Sequence, residues 1–457
     1  MSEALSVRSV SQRLGIDIAS IARDEALDAE IREKAATCLL DAVALAHVAR
    51  DEATACVASA LCDSLEGGLS ATVWTTGRKA SWGEACMANG IATHGHFHDD
   101  SDPSSWCHPG SLVVPAVVAA TEVTQGTLEH ALHGIVAGYA VLNWIGAEQY
   151  LANALIGRGI RTSPTIGAIG AAAGASCAMG LDAGRIAHAV SIAATMSTGT
   201  LEPLRRGSDE WRIQNGNAAR LGLTSALFAR DGVEGAETAL EGDKGLVRAV
   251  AGLPEAPAAW SEGLDRRAIL ASYAKPWATL GDNMAAVRAA RLMFESGVRA
   301  QDIVSGRVTI WHKYTEYPGT SYKGPFDRPV QALASTAFAS AAMLLLGDLE
   351  YDVSLNRRND PEILRLVDCL EIAGDPNGTK LDAEVRVQLG DGSIHTTRAA
   401  DSPRYWLYHD EARSTSVFLQ RMSSFLGETR ARALAGQVFR LSDSNIPMRD
   451  WLGALCN

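Results

Sequence analysis

The sequence contains few aromatic residues and no closely paired cysteines. Aromatic side chains make up 6% of its 457 residues, and its eight cysteines are scattered without a CxxC pair. Because zinc and redox sites often use such pairs, we expect reduced, mostly buried thiols in a cytoplasmic protein. The N-terminus also lacks the basic segment followed by an apolar segment that a secretory signal needs.

Positive charge is also scarce. The 41 lysines and arginines are outnumbered by 53 aspartates and glutamates, which gives a formal net charge of −12. Nucleic acids and anionic membranes are bound through basic surfaces, so the composition argues against both partners. The most membrane-like stretch, residues 165–181, consists mainly of alanine and glycine and is too weakly apolar to span a bilayer. We predict that it forms a buried helix at a close helix–helix contact.

Several common functional motifs are missing as well. The sequence has no GxGxxG after a strand, no GxxxxGK[ST], no HExxH and no GxSxG between a strand and a helix. These absences remove the usual nucleotide-binding, zinc-protease and esterase interpretations. We therefore predict no cofactor.

Alanine-rich amphipathic segments fill most of the first 300 residues. In residues 28–50 the apolar side chains recur with the period of a helix, and the charged side chains lie on the opposite face. Similar segments that predict helices are residues 82–97, 111–124, 127–147, 165–179, 183–197, 215–231 and 283–296.

The sequence pattern changes after about residue 300. Residues 307–314 alternate between apolar and polar side chains, and residues 383–398 form two alternating runs around Asp391-Gly392, which predicts a β-hairpin. Helices are predicted at residues 330–347, 360–370 and 413–441. A small α+β unit is therefore expected between two helical regions.

Residues 96–111, HFHDDSDPSSWCHPGS, contain three histidines and three aspartates. Three interpretations are open: a solvated loop, a metal site, or an acid/base site. His94, His96 and His98 alternate, but they follow a helix-like run and would converge poorly on a metal ion. His108 precedes Pro109 and a predicted helix, a position that suits an anionic substrate and a base active near neutral pH.

The order of several sequence blocks resembles the MmgE/PrpD family, which includes 2-methylcitrate dehydratases, cis-aconitate decarboxylases and an iminodisuccinate epimerase. HFHDD and WCHPGS stand where the family has an acidic motif and H-P-S. Further similar blocks lie at residues 133–146, 157–193, 215–235 and 273–277. The resemblance implies a mainly α fold, in which a large all-α helical-bundle domain (1–272, continued by 405–457) carries an inserted, smaller α+β lid domain (273–404). Substrates of the family bind between the two domains.

The resemblance also implies roles for individual residues. His108 would be the general base or acid, Asp99 or Asp100 its partner, and His96 a second proton carrier. Lys275 would hold a carboxylate. Substrate binding is implied for residues on segments near the family's cleft, namely Arg158, Arg161, Trp211, Arg212, Gln214 and Lys323. The resemblance implies no metal ligand.

The match to the family departs at chemically important positions. The family's first acidic residue falls on His96 and its threonine on Asp100. Its other histidines and its lysine fall on Arg161, Gln214 and Trp211. A guanidinium group does not titrate near neutral pH, so these changes favour gripping anions over moving protons.

We therefore expect a cofactor-independent lyase that removes a proton next to a carboxylate of a small acid, by dehydration or decarboxylation. Its substrate should differ from 2-methylcitrate and cis-aconitate, and could carry an apolar or ring group that packs on Trp211. An isomerase or epimerase and a catalytically inactive binding protein are the alternatives. A homodimer is expected from the alanine- and glycine-rich helices and from the resemblance.

Overall fold

In a computed structural model, residues 8–23, 27–64, 71–399 and 406–456 are described. The first half is an assembly of helices with one very short antiparallel strand pair, β1 (Ala71–Thr72) and β2 (Lys79–Ala80). The helices are α1 (Val10–Arg23), α2 (Ala29–Val48), α3 (Ala53–Ser64), α4 (Trp82–His94), α5 (Pro109–Val123), α6 (Leu128–Ile145), α7 (Tyr150–Gly157), α8 (Thr162–Ala178), α9 (Ala183–Met196), α10 (Glu202–Arg206) and α11 (Glu210–Arg230).

Helix α8 is the centre of this assembly, and every one of its residues is buried. Its small side chains let neighbouring backbones come close. A methyl group added at Gly170 would lie 2.5 Å from the Leu142 side chain of α6, and one added at Gly222 of α11 would lie 2.4 Å from Ala171 of α8. The predicted buried helix at a close helix–helix contact is therefore confirmed.

The second half combines helices with a four-stranded sheet. Its elements are α12 (Met284–Glu295), β3 (Ile303–Trp311), α13 (His312–Thr315), α14 (Pro329–Ala334), α15 (Thr336–Leu346), α16 (Tyr351–Asn356), α17 (Pro361–Cys369), β4 (Leu370–Asp375), β5 (Ala383–Leu389) and β6 (Ile394–Arg398). The strand order is β4-β3-β5-β6, with β3 and β4 parallel and the other pairs antiparallel. The predicted hairpin is confirmed, since Gly392 occupies its turn with a φ of 87°.

Two predicted helices are interrupted. Residues 330–347 divide at Ser335, whose side chain accepts a hydrogen bond from the Phe338 amide and thereby begins a new helix. Residues 413–441 divide at Gly427, which has a φ of 76°. The chain there forms α18 (Glu411–Leu426) and α19 (Glu428–Phe439), followed by α20 (Met448–Cys456).

The larger apolar clusters of the core follow the two halves of the chain. The largest is built from residues 10–269 together with residues 418–455, and a second from residues 285–399. The proposed domain limits at 272/273 and 404/405 stay predictions, and the second limit lies outside the described residues. Within the described part of the chain, none of the helices combines the length and apolar character needed to cross a membrane.

Candidate active site

The histidine-rich segment connects α4 to α5 through a constrained loop. Helix α4 ends at His94, and His108 is the N-cap of α5. Between them, Phe97 and Trp106 have φ angles of 56° and 57°. Residues other than glycine rarely adopt this left-handed conformation, which persists only when the surrounding structure imposes it. The loop is thus held in one shape by its packing.

His94 is fully buried and held on both sides of its ring. Its Nδ1 lies 2.8 Å from an Asp99 carboxylate oxygen, and Arg161 donates to its Nε2 at 2.9 Å. Burial, reinforced by the charge of Arg161, moves the pKa of His94 well below its ordinary value. His94 is therefore neutral, with its proton on Nδ1, and both ring nitrogens are occupied.

His108 lies beside this pair with a different arrangement. Its Nδ1 is 2.9 Å from the Asp100 carbonyl oxygen and 3.5 Å from the Ser101 hydroxyl. Because a carbonyl only accepts, the proton belongs on Nδ1, which leaves the Nε2 lone pair able to act as a base. Burial lowers the pKa of His108 well below its ordinary value, although the nearby Asp99 charge opposes this shift. The imidazole is therefore neutral at physiological pH.

Asp100 and Lys275 support the loop from inside. The Asp100 carboxylate accepts hydrogen bonds from the Tyr139 hydroxyl and the Gly110 amide, both at 2.6 Å, and burial raises its pKa to about 7. Lys275 donates to the Phe97 carbonyl at 2.5 Å and to the Thr279 carbonyl at 2.8 Å, and burial lowers its pKa to about 8. Both side chains hold backbone in place around His108.

A small cavity of about 30 Å³ opens beside His108, where the first helical assembly meets the second half of the chain. Its wall includes Ser101, Asp282 and three tyrosines. The Oδ2 atom of Asp282 is buried and has no hydrogen bond to any residue that the structure describes. Burial raises the pKa of Asp282 to about 7, while Lys275 opposes the shift. Two proton-exchanging groups, His108 and Asp282, thus face one space.

A much larger cleft of about 810 Å³ lies outside this cavity, between α7, α10 and the segment that follows β3. Trp106 and Tyr317 line both spaces, and their ring centroids are 5.6 Å apart. The two aromatic rings therefore form the wall between an inner cavity and an outer cleft.

Five predicted site residues lie close together in the structure, namely His108, Asp99, Asp100, Lys275 and Arg161. Arg161 lies behind the cavity wall, where it donates to the Trp211 carbonyl at 2.6 Å and to the Gln214 side chain at 3.1 Å. Gln214 in turn donates to the Thr200 carbonyl. These predicted residues form one connected polar network.

Trp211 is fully buried, and its ring packs against His94, Phe97 and Arg212. Its indole therefore offers no surface to a ligand in this structure. It acts as packing for the rings beside the site.

Other predicted site residues lie elsewhere. His96 stacks on Tyr351 with ring centroids 4.1 Å apart, and burial lowers its pKa to about 4. Arg212 is buried and donates to the Gly95 carbonyl and the Tyr351 hydroxyl, among other partners. Neither residue lines the inner cavity or the outer cleft.

Arg158 and Lys323 are also separate from the cluster. Arg158 is exposed close to Gly252, and Lys323 is exposed and donates to the Asp368 carbonyl at 3.3 Å. Across the described ranges, no group of three or more His, Cys, Asp or Glu side chains is arranged to hold a metal ion.

Asp282 and the tyrosines were not predicted from the sequence. Asp282 follows the predicted site residue Lys275 by a few residues, but no sequence motif around it indicates a functional role. Tyr314 and Tyr317 come from the segment after β3, far from His108 along the chain. Only the packing of the two halves against each other brings them to the cavity.

Curated proteins similar to this chain are named as decarboxylases. The cis-aconitate decarboxylase-like protein oryM of Aspergillus oryzae is 30% identical over 216 residues, which are 46% of this chain and 44% of that protein. The human cis-aconitate decarboxylase is 26% identical over 347 residues, 70% of this chain and 68% of that protein. The Aspergillus terreus cis-aconitate decarboxylase is 31% identical over 170 residues, 36% of this chain and 34% of that protein.

The matched stretch thus spans less than half the length of the first of these relatives. A family model gives a broader match, since the model of the MmgE/PrpD N-terminal domain covers residues 17–258. That range is more than half of the chain, and the protein belongs to the MmgE/PrpD family.

Proposed function

We propose that this protein is a cofactor-independent lyase that acts on a small carboxylic acid by removing a proton next to a carboxylate. The observation that carries the proposal is the pairing of His108 and Asp282 across one buried cavity. Environments that shift the pKa values of two neighbouring groups in opposite directions are typical of acid/base pairs in enzymes. The relatives named as decarboxylases support the same class of reaction.

The two groups suit complementary roles. Neutral His108 takes the proton from the substrate carbon on its Nε2, and the electron pair moves into the adjacent carboxylate to give an enolate-like intermediate. Asp282, with a pKa raised to about 7, is partly protonated at neutral pH and can donate its proton to a departing hydroxyl group. In a decarboxylation, His108 removes no proton: the C–C bond to the carboxylate breaks, carbon dioxide leaves, the electron pair stays on the substrate carbon, and Asp282 gives its proton to that carbanion.

The surrounding charges stabilise the developing anion from behind the cavity wall. Burial raises the pKa of Tyr317, a residue of that wall, and the charge of Arg161 opposes this shift, so the guanidinium lies close enough to act on the wall. Burial keeps the pKa of Tyr273 and Tyr314 above the ordinary tyrosine value, so their hydroxyls stay protonated. Neutral hydroxyls and fixed cations around an enclosed site stabilise negative charge that forms in the transition state.

The test is a panel of small di- and tricarboxylic acids incubated with the protein in D₂O and followed by NMR. We expect loss of water or carbon dioxide from one acid. In a decarboxylation deuterium enters at the carbon that lost carbon dioxide, and in a dehydration reversible proton removal places it in the remaining acid at the carbon next to the carboxylate. We expect no turnover of 2-methylcitrate or cis-aconitate at about 1 per second or faster, the rates usual for enzymes. Turnover of either at such rates would contradict the predicted change of substrate.

An isomerase or epimerase is the second candidate, and the placement of His108 and Asp282 on different elements favours it specifically. Two bases facing one carbon can remove a proton from one side and return it to the other. The same spectra separate the two reactions, because an epimerase incorporates deuterium without releasing water or carbon dioxide. An inactive binding protein would bind an acid and show neither change.

A further inference from the structure

The inner cavity and the outer cleft differ greatly in size. The inner cavity, at about 30 Å³, holds little more than one water molecule. The outer cleft, at about 810 Å³, falls in the range of pockets that enclose drug-sized ligands. Trp106 and Tyr317 line both spaces, so a substrate whose reacting carbon lies beside His108 would extend past these two rings into the cleft. The part that does not react would remain in the cleft.

We propose that the outer cleft binds an apolar ring substituent of the substrate, so that the substrate is a small carboxylic acid carrying such a group. This inference rests on the proposed function for the location of the reacting end. The cleft wall is apolar where it adjoins the aromatic pair, with Ile156, Leu201 and Pro318 beside Trp106 and Tyr317. Flat rings pack well on indole and phenol faces.

The charges at the cleft support a neutral substituent over an additional carboxylate. Arg205 and Lys313 line the cleft, but so do Glu202 and Glu316. Arg205 lies 3.9 Å from the Glu202 carboxylate, which also accepts a hydrogen bond from Arg206 at 3.0 Å. A carboxylate in this cleft would meet as many acidic as basic side chains among these four. Trp106 therefore takes the role that the sequence suggested for Trp211, whose ring is fully buried.

Gly157 provides a direct way to fill the cleft. It is exposed at the end of α7 and lines the cleft, and a Cβ added there has no atom of the described residues within 4 Å. Gly157→Trp should therefore occupy the cleft without disturbing the fold. Gly453→Trp in α20 is the matched control, because a Cβ there also has no atom within 4 Å among the described residues and Gly453 does not line the cleft.

The experiment measures binding of three probes by calorimetry: succinate, 2-benzylsuccinate and propane-1,2,3-tricarboxylate. We expect the unaltered protein to bind 2-benzylsuccinate about tenfold or more tightly than succinate, the gain typical of burying a ring. Gly157→Trp should abolish this gain, and Gly453→Trp should keep it. Circular dichroism of both variants checks that they fold.

Three results would overturn the proposal: equal affinity for the two succinates, a gain that survives Gly157→Trp, or tightest binding of the tricarboxylate. Absence of binding by all three probes would overturn it as well. Binding does not require turnover, so the lyase proposal fails separately. In that case selective binding of 2-benzylsuccinate would persist while no acid in the D₂O panel reacts.

Discussion

His94 and His108 have ring centroids only 5.0 Å apart, yet their surroundings give them different capacities. Arg161 and Asp99 occupy both nitrogens of His94, and a ring held in this way cannot exchange a proton without breaking one contact. His108 uses only Nδ1 for its backbone contact and lines the inner cavity. The hydrogen bonds thus occupy both nitrogens of His94 and leave Nε2 of His108 for the proposed role as base.

This difference predicts the effect of removing His108. We expect His108→Ala to lower turnover of the true substrate by about two orders of magnitude or more, because a positioned base is lost. Lys275→Ala should lower it by a similar factor through the charge and backbone contacts that Lys275 supplies. His395→Ala, an exposed change on β6, is the control and should leave turnover unchanged. Full activity in the His108 variant would place the chemistry elsewhere.

Asp282 predicts a specific dependence of stability on pH. Burial raises its pKa from 3.8 to about 7, so the folded protein binds more protons than the unfolded chain between these values. Stability contributed by the protonated carboxyl is present below pH 4 and is lost as pH rises toward 7. The positive charge of Lys275 lowers the pKa of Asp282 and so reduces this loss of stability. His108, which lines the same cavity, is neutral and adds no charge.

Between pH 5 and pH 8, the free energy of unfolding should therefore fall by on the order of 2 kcal/mol more in the unaltered protein than in Asp282→Asn. Urea unfolding at the two pH values measures the difference. Asp100, whose pKa is also raised to about 7, stays in both proteins and contributes equally. Asp243→Asn, at an exposed position, is the control and should show no such difference. An unchanged pH dependence in Asp282→Asn would contradict the prediction.

The sequence was sufficient to single out the loop that lines the candidate site, because the histidines and aspartates are concentrated between two helices. It was insufficient to separate His96 from His108. Both are histidines of one loop, but one stacks on Tyr351 and the other lines the cavity. That choice depends on the positive φ of Phe97 and Trp106, which no local pattern signals.

Among the elements, the helices predicted from periodicity are present, with small shifts at their ends. The interruptions at Ser335 and Gly427 were not predicted because the apolar periodicity continues through both positions. At Ser335 a side-chain hydrogen bond to the Phe338 amide decides the break. A single side-chain hydrogen bond to the backbone can therefore end one helix and begin another without changing the apolar periodicity of the sequence.

The close packing of α8 against α11 predicts opposite effects for two glycine substitutions. Gly222→Ala places a methyl group 2.4 Å from the Ala171 side chain, and we expect it to lower the free energy of unfolding by about 2 kcal/mol. Gly453→Ala, where a methyl group has no atom of the described residues within 4 Å, should raise it by about 0.5 kcal/mol or more, because alanine favours a helix. Urea unfolding of both variants measures the difference. A neutral Gly222→Ala would mean that the two helices separate readily.

At the scale of the whole molecule, the alanine- and glycine-rich helices give no argument for a dimer, because their close contacts lie within one chain. Helix α8 buries all of its residues within a single chain. Large apolar side chains nevertheless remain exposed on the contacting helices α9 and α11, including Met196, Ile213 and Phe228. Exposed apolar side chains on adjacent elements often mark an interface between subunits.

We therefore expect a homodimer with two-fold symmetry in which this surface is covered. Light scattering during size-exclusion chromatography at micromolar concentration should give about twice the mass of 48.3 kDa. Phe228→Asp should shift the protein toward the monomer, because a charge would be buried without a partner in the interface. Val304→Asp on β3 adds the same charge at another exposed apolar position and should leave the dimer intact. A monomeric unaltered protein would contradict the dimer itself, whereas a dimer that survives Phe228→Asp would place its interface on another surface.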